Sequence, residues 1–315
     1  MNSRQKDSTL GVLVADAAAL GLHWLYDLRR MHEVVSGNDP AFFTPNADHY
    51  EGKVGYFAHG GKQAGEQSHY GESYLLNLRH LIKQGEFNTR VFQQDFISVF
   101  GAGGTFNGYI DSPTKTTLRH LQEIDFSSED DPNAEPSGAD DHQIPALTPV
   151  SALCAYRSID ELTDTEIINA IRVTNNNDLA VNCGLYFSRV LQATHSGKSI
   201  ADSFASAAHL PDEIKENMSN ALNMPATDLD TAATLFGQVC GLEQTIPLSA
   251  YILSNSASYR QAIEMNILAG GDSCGRAIML GAIAGAAYGL GTAEGIPHAW
   301  LLQLKRQQDI AAMFD

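Results

Sequence analysis

The chain has 315 residues, 37 Asp and Glu against 20 Lys and Arg, and a formal net charge of −17. No basic run interrupts that balance, so a nucleic-acid backbone and an anionic membrane surface are excluded as expected partners. With 43% hydrophobic and 18% charged residues the chain reads as one large globular domain, 1–315, and its four scattered cysteines lack the density of a disulfide framework. A reducing, cytoplasmic location is the expectation.

Met1 to Lys6 is polar, and the apolar stretch behind it contains Asp16 and lacks a secretory-signal layout. Apolar residues recur three and four apart from Leu10 to Trp24, around Tyr74 to Ile82 and from Ile167 to Leu191, which is the helical period. Strict alternation is nearly absent, so the fold is predicted all-α. Between the first two helical stretches, Gly37 to Gly71 is rich in Gly, Pro, Asn, His and Tyr and reads as a long ordered loop of the kind that carries sites. Asp125 to Asp141 is acidic, contains Pro132 and Pro136, and reads as a mobile, solvated surface loop. Ser158 to Glu161 and Thr163 to Glu166 both have capping-box spacing, and only one of these overlapping boxes can start a helix. Pro211-Asp212-Glu213 opens another helix, while Gly85 and Gly197 close two more. Ala277 to Leu290 is apolar but shorter than the ~20 residues that span a bilayer.

The segment richest in chemistry is Gly270-Gly271-Asp272-Ser273-Cys274-Gly275-Arg276, which opens a Gly/Ala-rich helix ending at Tyr288-Gly289. Two glycines allow a sharp turn, and the free N–H groups at the helix start favour an anion or a thiolate there. Asp272 and Ser273 either cap that helix or line a site.

This segment resembles the C-terminal signature of the ADP-ribosylglycohydrolase family, a Gly-Gly-Asp-Thr-Asp-Thr type stretch before an Ala/Gly helix. Gly11 to Asp27, with Asp16 and Gly21, is similar to the family's first helix. Gly65 to Gly71 resembles its Thr-Asp-Asp-Thr segment, and Gly295-Ile296-Pro297-His298-Ala299-Trp300 its Gly-Ile-Pro-x-x-Trp ending. The resemblance covers nearly the whole chain and implies a compact, all-helical, single-domain fold with a central cleft. It also implies two divalent cations, usually magnesium, held by paired carboxylates. Here the ligand positions read Ser68-His69-Tyr70 and Asp272-Ser273-Cys274, so most of the oxygen donors are replaced by imidazole, phenol and thiol. No metal or other cofactor is therefore expected. Thr174-Asn175-Asn176 stands where the family usually has Thr-His.

Several chemistries stay open for such a cleft. Cys274, with Arg276 close in sequence and His69 carried by the resemblance to the facing position, has the ingredients of a lowered thiol pKa and a Cys–His pair oriented by Asp272. The alternative is a small packed thiol beside a packed imidazole. His69, Asp272 and Cys274 could instead form a zinc site, a minor possibility. Asp16 on its apolar helix needs a partner and either faces the cleft or bonds to a neighbour. Asp272, His69, Cys274 and Asp16 are the catalytic candidates. Ser68, Tyr70, His23, Trp24, His59, Asp140, Asp141 and Ser273 are the candidates for contacting substrate. The aromatic groups could stack on a base or sugar, and the Asp140-Asp141 pair could do acid–base work or simply be solvated. The expected function is hydrolysis or binding of a glycosidic, nucleoside- or ADP-ribosyl-like small molecule. The rival is a non-catalytic, crystallin-like binding or structural protein on the same fold.

Overall fold

The computed structural model describes residues 1–126, 135–226 and 228–314. Among them it contains sixteen α-helices and three 3-10 turns, and pairing of extended backbone is limited to isolated bridges. The all-α expectation holds. No helix among these residues is long and apolar enough to cross a membrane.

The helix Ser3–Ala19 starts at an Asn2 capping box, in which the Asn2 side chain accepts from Gln5 N while the Gln5 side chain accepts from Asn2 N. Val12, Leu13, Val14, Ala15 and Ala17 are all fully buried. From Gly11 to Ala19 every face of the helix is buried, so this part lies inside the protein rather than on its surface. Its main partner is Ser273–Tyr288, the Gly/Ala helix. A Cβ placed on Gly281 would lie 2.4 Å from Gly11 O, and one on Gly11 would lie 2.1 Å from Gly281 O. The two backbones therefore touch, and only glycine fits between them. Gly285 approaches Asp7 in the same way, so the helices run antiparallel. This brings Asp16, near the end of one, level with Cys274, at the start of the other.

Around this pair lie His69–Gln84, which packs on Leu147–Tyr156, and then Asp178–His195, Leu242–Ser254 and Tyr259–Leu268. Their buried Leu, Ile and Val side chains each contribute roughly 1.5–3 kcal/mol of burial. A smaller cluster of Phe92, Phe96, Phe100 and Leu121 sits to one side against Leu76 and Val173.

Local departures from the sequence reading have simple causes. Thr163 is the true cap, accepting from Glu166 N, while Ser158 to Leu162 forms a turn. The apolar stretch Ile167 to Leu191 is two helices, because Asn175 ends one and Asn177 caps the next through Leu179 N and Ala180 N. The long loop ends at Ser68 rather than Gly71, since Ser68 already caps the next helix. Of the acidic stretch Asp125–Asp141, residues 127–134 lie outside the described residues. Its last part is not a solvated loop: Ser137, Gly138 and Ala139 are buried, with Gly138 N bonded to Arg172 O and Ala139 N to Thr174 O.

Candidate functional site

The site is organised by the turn before the Gly/Ala helix. Gly270 and Gly271 both adopt left-handed φ, +68° and +64°, and a Cβ on Gly271 would strike Gln238 O at 2.2 Å. Glycine is required here on both counts. Gly271 O accepts from Trp24 N at 2.8 Å and Gly271 N donates to Leu25 O at 2.9 Å, which fixes the exit of the first helix against this turn. Trp24 itself takes a left-handed φ of 64°. A bulky residue held there is strained, and strain of this kind persists only where the surroundings over-determine it.

The consequence is a buried network between His23 and Asp272. Asp272 Oδ1 accepts from Gly275 N, capping the helix, and lies 2.8 Å from His23 Nε2, while Oδ2 accepts from Tyr70 Oη at 3.2 Å. On the other side of the ring, His23 Nδ1 is 2.7 Å from His59 Nε2. Burial alone would raise the Asp272 carboxyl, but the His23 hydrogen bond and the Arg276 charge outweigh it and hold the group below the ordinary carboxylate range. Burial lowers His23 against the pull of Asp272, and burial together with the neighbouring histidines takes His59 down to about 2.

Asp16 is the second buried carboxylate. It accepts from Ser68 N at 2.8 Å and from Ser68 Oγ at 2.5 Å, so the residue that caps His69–Gln84 also satisfies the acid on the first helix. Burial raises its pKa to about 6, with the Ser68 hydrogen bonds opposing. Gly71 leaves room for it, because a Cβ there would sit 2.2 Å from Asp16 Oδ2. Cys274 lies between the two acids, its thiol directed at Asp16 O at 3.6 Å.

His69 turns elsewhere. Its Nε2 is 3.0 Å from Asp111 Oδ2, and its ring lies against Tyr70 with centroids 3.8 Å apart. Asp111 caps Ser112–Leu121 through Thr114 N. Burial raises the Asp111 carboxyl, yet His69 and Thr114 together hold it low. From here an aromatic wall runs outward: Tyr109 is 6.4 Å from His69 and 5.2 Å from Trp24, and Tyr56, half exposed, is 5.4 Å from Tyr109.

Several expected partnerships are rearranged. The imidazole oriented by Asp272 is that of His23, whereas His69 pairs with Asp111. Burial pushes the Cys274 thiol well above its ordinary value, and the Asp16 and Asp272 charges push the same way, despite Arg276 nearby. The guanidinium is spent on Asn266 Oδ1 and on the carbonyls of Asn266, Gly270 and Gln238, which braces the glycine turn. A lowered thiol pKa is thus corrected. The donors grouped with Cys274 are nitrogens of His23 and His59, all within 4.8 Å of one another, rather than His69 and Asp272. Ser68 and Tyr70 sit in the network as helix cap and phenol donor, and Ser273 is buried with its carbonyl accepting from Asn266 Nδ2. Asp140 is exposed and accepts from Asn177, while half-buried Asp141 accepts from Gln143 and Asn175. None of these partners belongs to the His23–Asp272 network. Sequence reasoning missed Asp111, Tyr109 and Tyr56. Asp111 was visible only as Asp-Ser-Pro, a cap before a first-turn proline.

The profile of the family described as ADP-ribosylglycohydrolase matches residues 1–315, the whole chain. The chain belongs to the ADP-ribosylglycohydrolase family. Among curated proteins it is similar to Crystallin J1A of Tripedalia cystophora, 24% identical over 312 residues, covering 98% of this chain and 94% of the relative. Crystallin J1B of the same organism is 23% identical with the same coverage. Among solved structures, a chain of an ADP-ribosylglycohydrolase-related protein complex superposes with a TM-score of 0.71 at 14% identity, covering 99% of this chain and 95% of that one. The last of these establishes a shared fold, and within this family fold the His23–Asp272 network fills the position where the first helix meets the glycine turn.

Proposed function

We propose that this ADP-ribosylglycohydrolase-family protein binds and hydrolyses a glycosidic small molecule of the nucleoside or ADP-ribosyl class without the paired magnesium ions of the family. The observation that carries this reading is the opposite tuning of two buried carboxylates: Asp16 is raised to about 6 and Asp272 is held below its ordinary value. Environments that push two acids apart assign one as proton donor and the other as the charged partner. Asp16 would supply the proton to the leaving group and Asp272 would remain ionised, with His23 keeping it so. The aromatic wall of Trp24, Tyr109 and Tyr56 offers ring faces for a base or sugar.

The donor set does not suit two hard cations. Both oxygens of Asp272 and both of Asp16 already accept hydrogen bonds from the protein, and magnesium requires near-octahedral oxygen donors. Asp16 and Asp272 would therefore act without magnesium. A net charge of −17 supports a small molecule over nucleic acid or an anionic membrane as partner, and four free cysteines support a reducing cytoplasm.

The test is incubation of the full chain, in the presence of a chelator, with a panel of N- and O-linked ADP-ribosyl and nucleoside compounds. Release of the free sugar, abolished by Asp16→Asn and by Asp272→Asn, is the expected outcome. Absence of both binding and turnover across the panel would overturn the reading.

A second reading, a non-catalytic protein, is favoured by two observations. Asp16, Asp272, His23 and His69 are each at most 2% exposed, and the curated relatives are named crystallins. On that reading the buried network serves stability alone.

A further inference from the structure

The close approach of His23, His59 and Cys274 is not used by the chemistry above. One ring nitrogen from each histidine and the Cys274 sulfur lie within 4.8 Å of one another, and all three residues are buried. They come from three separate places: the exit of the first helix, the long loop, and the start of the Gly/Ala helix. Convergence of two imidazoles and a thiol from distant segments is the donor chemistry of a borderline-soft cation.

We propose that His23 Nδ1, His59 Nε2 and Cys274 Sγ form a binding site for one divalent cation of the zinc class. Three protein ligands are the number found in an open zinc site. The tautomers follow from the network. Asp272 accepts from Gly275 N and Tyr70 Oη, so it is the acceptor for His23 Nε2–H as well. That leaves a lone pair on His23 Nδ1, and His59 Nε2–H donates to it at 2.7 Å. A ligating histidine whose far nitrogen donates to a carboxylate is the usual outer-shell arrangement of metal sites. Asp272 would orient His23 toward the ion without touching it.

Tetrahedral bonds of about 2.0–2.1 Å to nitrogen and 2.3 Å to sulfur place the donors roughly 3.3–3.7 Å apart. The two imidazoles must part from 2.7 Å by about half an ångström or more, and the sulfur must close in from within 4.8 Å. The shift would fall on His59, which is buried but belongs to irregular chain. It sits in the turn-rich segment after Gly52, where its carbonyl accepts from Lys62 N, rather than in a helix. On loading, the thiol proton leaves to solvent and the His59 ring proton passes from Nε2 to Nδ1, so the site gains a dication and loses one proton. This inference shares His23 and Asp272 with the glycosidase reading but does not rest on it, because Asp16 takes no part and zinc binding is read without turnover.

The experiment is titration of the full chain, purified with a chelator and then freed of it, with zinc chloride, followed by cobalt chloride on a fresh sample. One zinc per chain is expected, with a thiolate-to-cobalt charge-transfer band in the near ultraviolet. Cys274→Ser should abolish that band, and His59→Asn should weaken zinc binding by at least about tenfold. His32→Ala, which removes an exposed histidine paired with Asp230, should leave stoichiometry and affinity unchanged. Should Cys274→Ser fail to fold, the cobalt spectrum of the unaltered chain still decides. Absence of the charge-transfer band, or zinc binding that His59→Asn leaves intact, overturns the proposal.

Discussion

His23 Nε2 lies 2.8 Å from Asp272 Oδ1, and both side chains are fully shielded from solvent although 249 residues separate them. Such a pair survives only because its remaining valences are met: Gly275 N and Tyr70 Oη on the acid, His59 on the imidazole. A buried pair of this kind is weak as a source of net stability, but removing one member leaves a desolvated charge.

His23→Ala is therefore expected to destabilise the fold by about 3 kcal/mol, within the roughly 3–5 kcal/mol usual for breaking a buried pair. His23→Gln, which can still donate to Asp272, should cost about half as much. Urea unfolding measures both. Equal stability of His23→Ala and the unaltered chain would show that Asp272 is satisfied without the imidazole.

Asp16 contributes one component of the pH dependence, opposed by the buried histidines. Its pKa is raised to about 6 in the folded chain from 3.8, so the folded state holds a proton that the unfolded state has released. The stabilisation is fully present below about 3.8 and is lost as pH rises through about 6, a contribution on the order of 3 kcal/mol by the linkage relation. Asp272 has the opposite sign: its depressed pKa gives stability above 3.8 that is lost as pH falls through its lower folded value. Asp16→Asn should remove this component, so that between pH 4 and 6 the stability of the variant rises more steeply with pH than that of the unaltered chain, as read by denaturant titration. An unchanged slope would mean that Asp16 is ionised in the folded protein throughout that range.

Gly71→Ala tests the space beside Asp16. The added methyl would stand 2.2 Å from Asp16 Oδ2 and 2.3 Å from Gln67 Oε1, so a loss of about 1–3 kcal/mol is expected from overpacking. Gly61→Ala, with nothing within 4 Å, should be close to neutral. If the two behave alike, the Asp16–Ser68 contact is less constrained than its geometry implies.

Cys274 is expected to resist iodoacetamide at neutral pH in the native chain and to react once urea unfolds it. Burial keeps it protonated and the thiol faces Asp16 O rather than a cation. Peptide mapping after timed alkylation reads this directly. Rapid native labelling of Cys274 would restore the nucleophile that the sequence suggested.

The sequence made the all-helical fold legible because its signals are local: a 3.6-residue period, the Thr163 cap and the Gly85 stop are each contained in a few residues. Several members of the buried network were legible through segments such as Gly270 to Arg276, where glycines and polar groups cluster, whereas Asp111 was not. Pairings were not. Whether Asp272 meets His23 or His69 depends on the reciprocal hydrogen bonds of Gly271 with Trp24 and Leu25, a tertiary contact that no spacing encodes. Arg276 misled for the same reason, since proximity in sequence to Cys274 says nothing of a guanidinium that turns to carbonyl oxygens. Tyr56 and Tyr109 lie in irregular chain, where periodicity carries no information about which faces meet.

The most direct test of a site that works through Asp16 and Asp272 without paired magnesium is calorimetric titration of the full chain with ADP-ribose. It is run first in the presence of a chelator and then in millimolar magnesium. Saturable binding of the same affinity in both, lost in Asp272→Asn, is the predicted result. Binding that appears only when magnesium is added, or no binding in either condition, would contradict it.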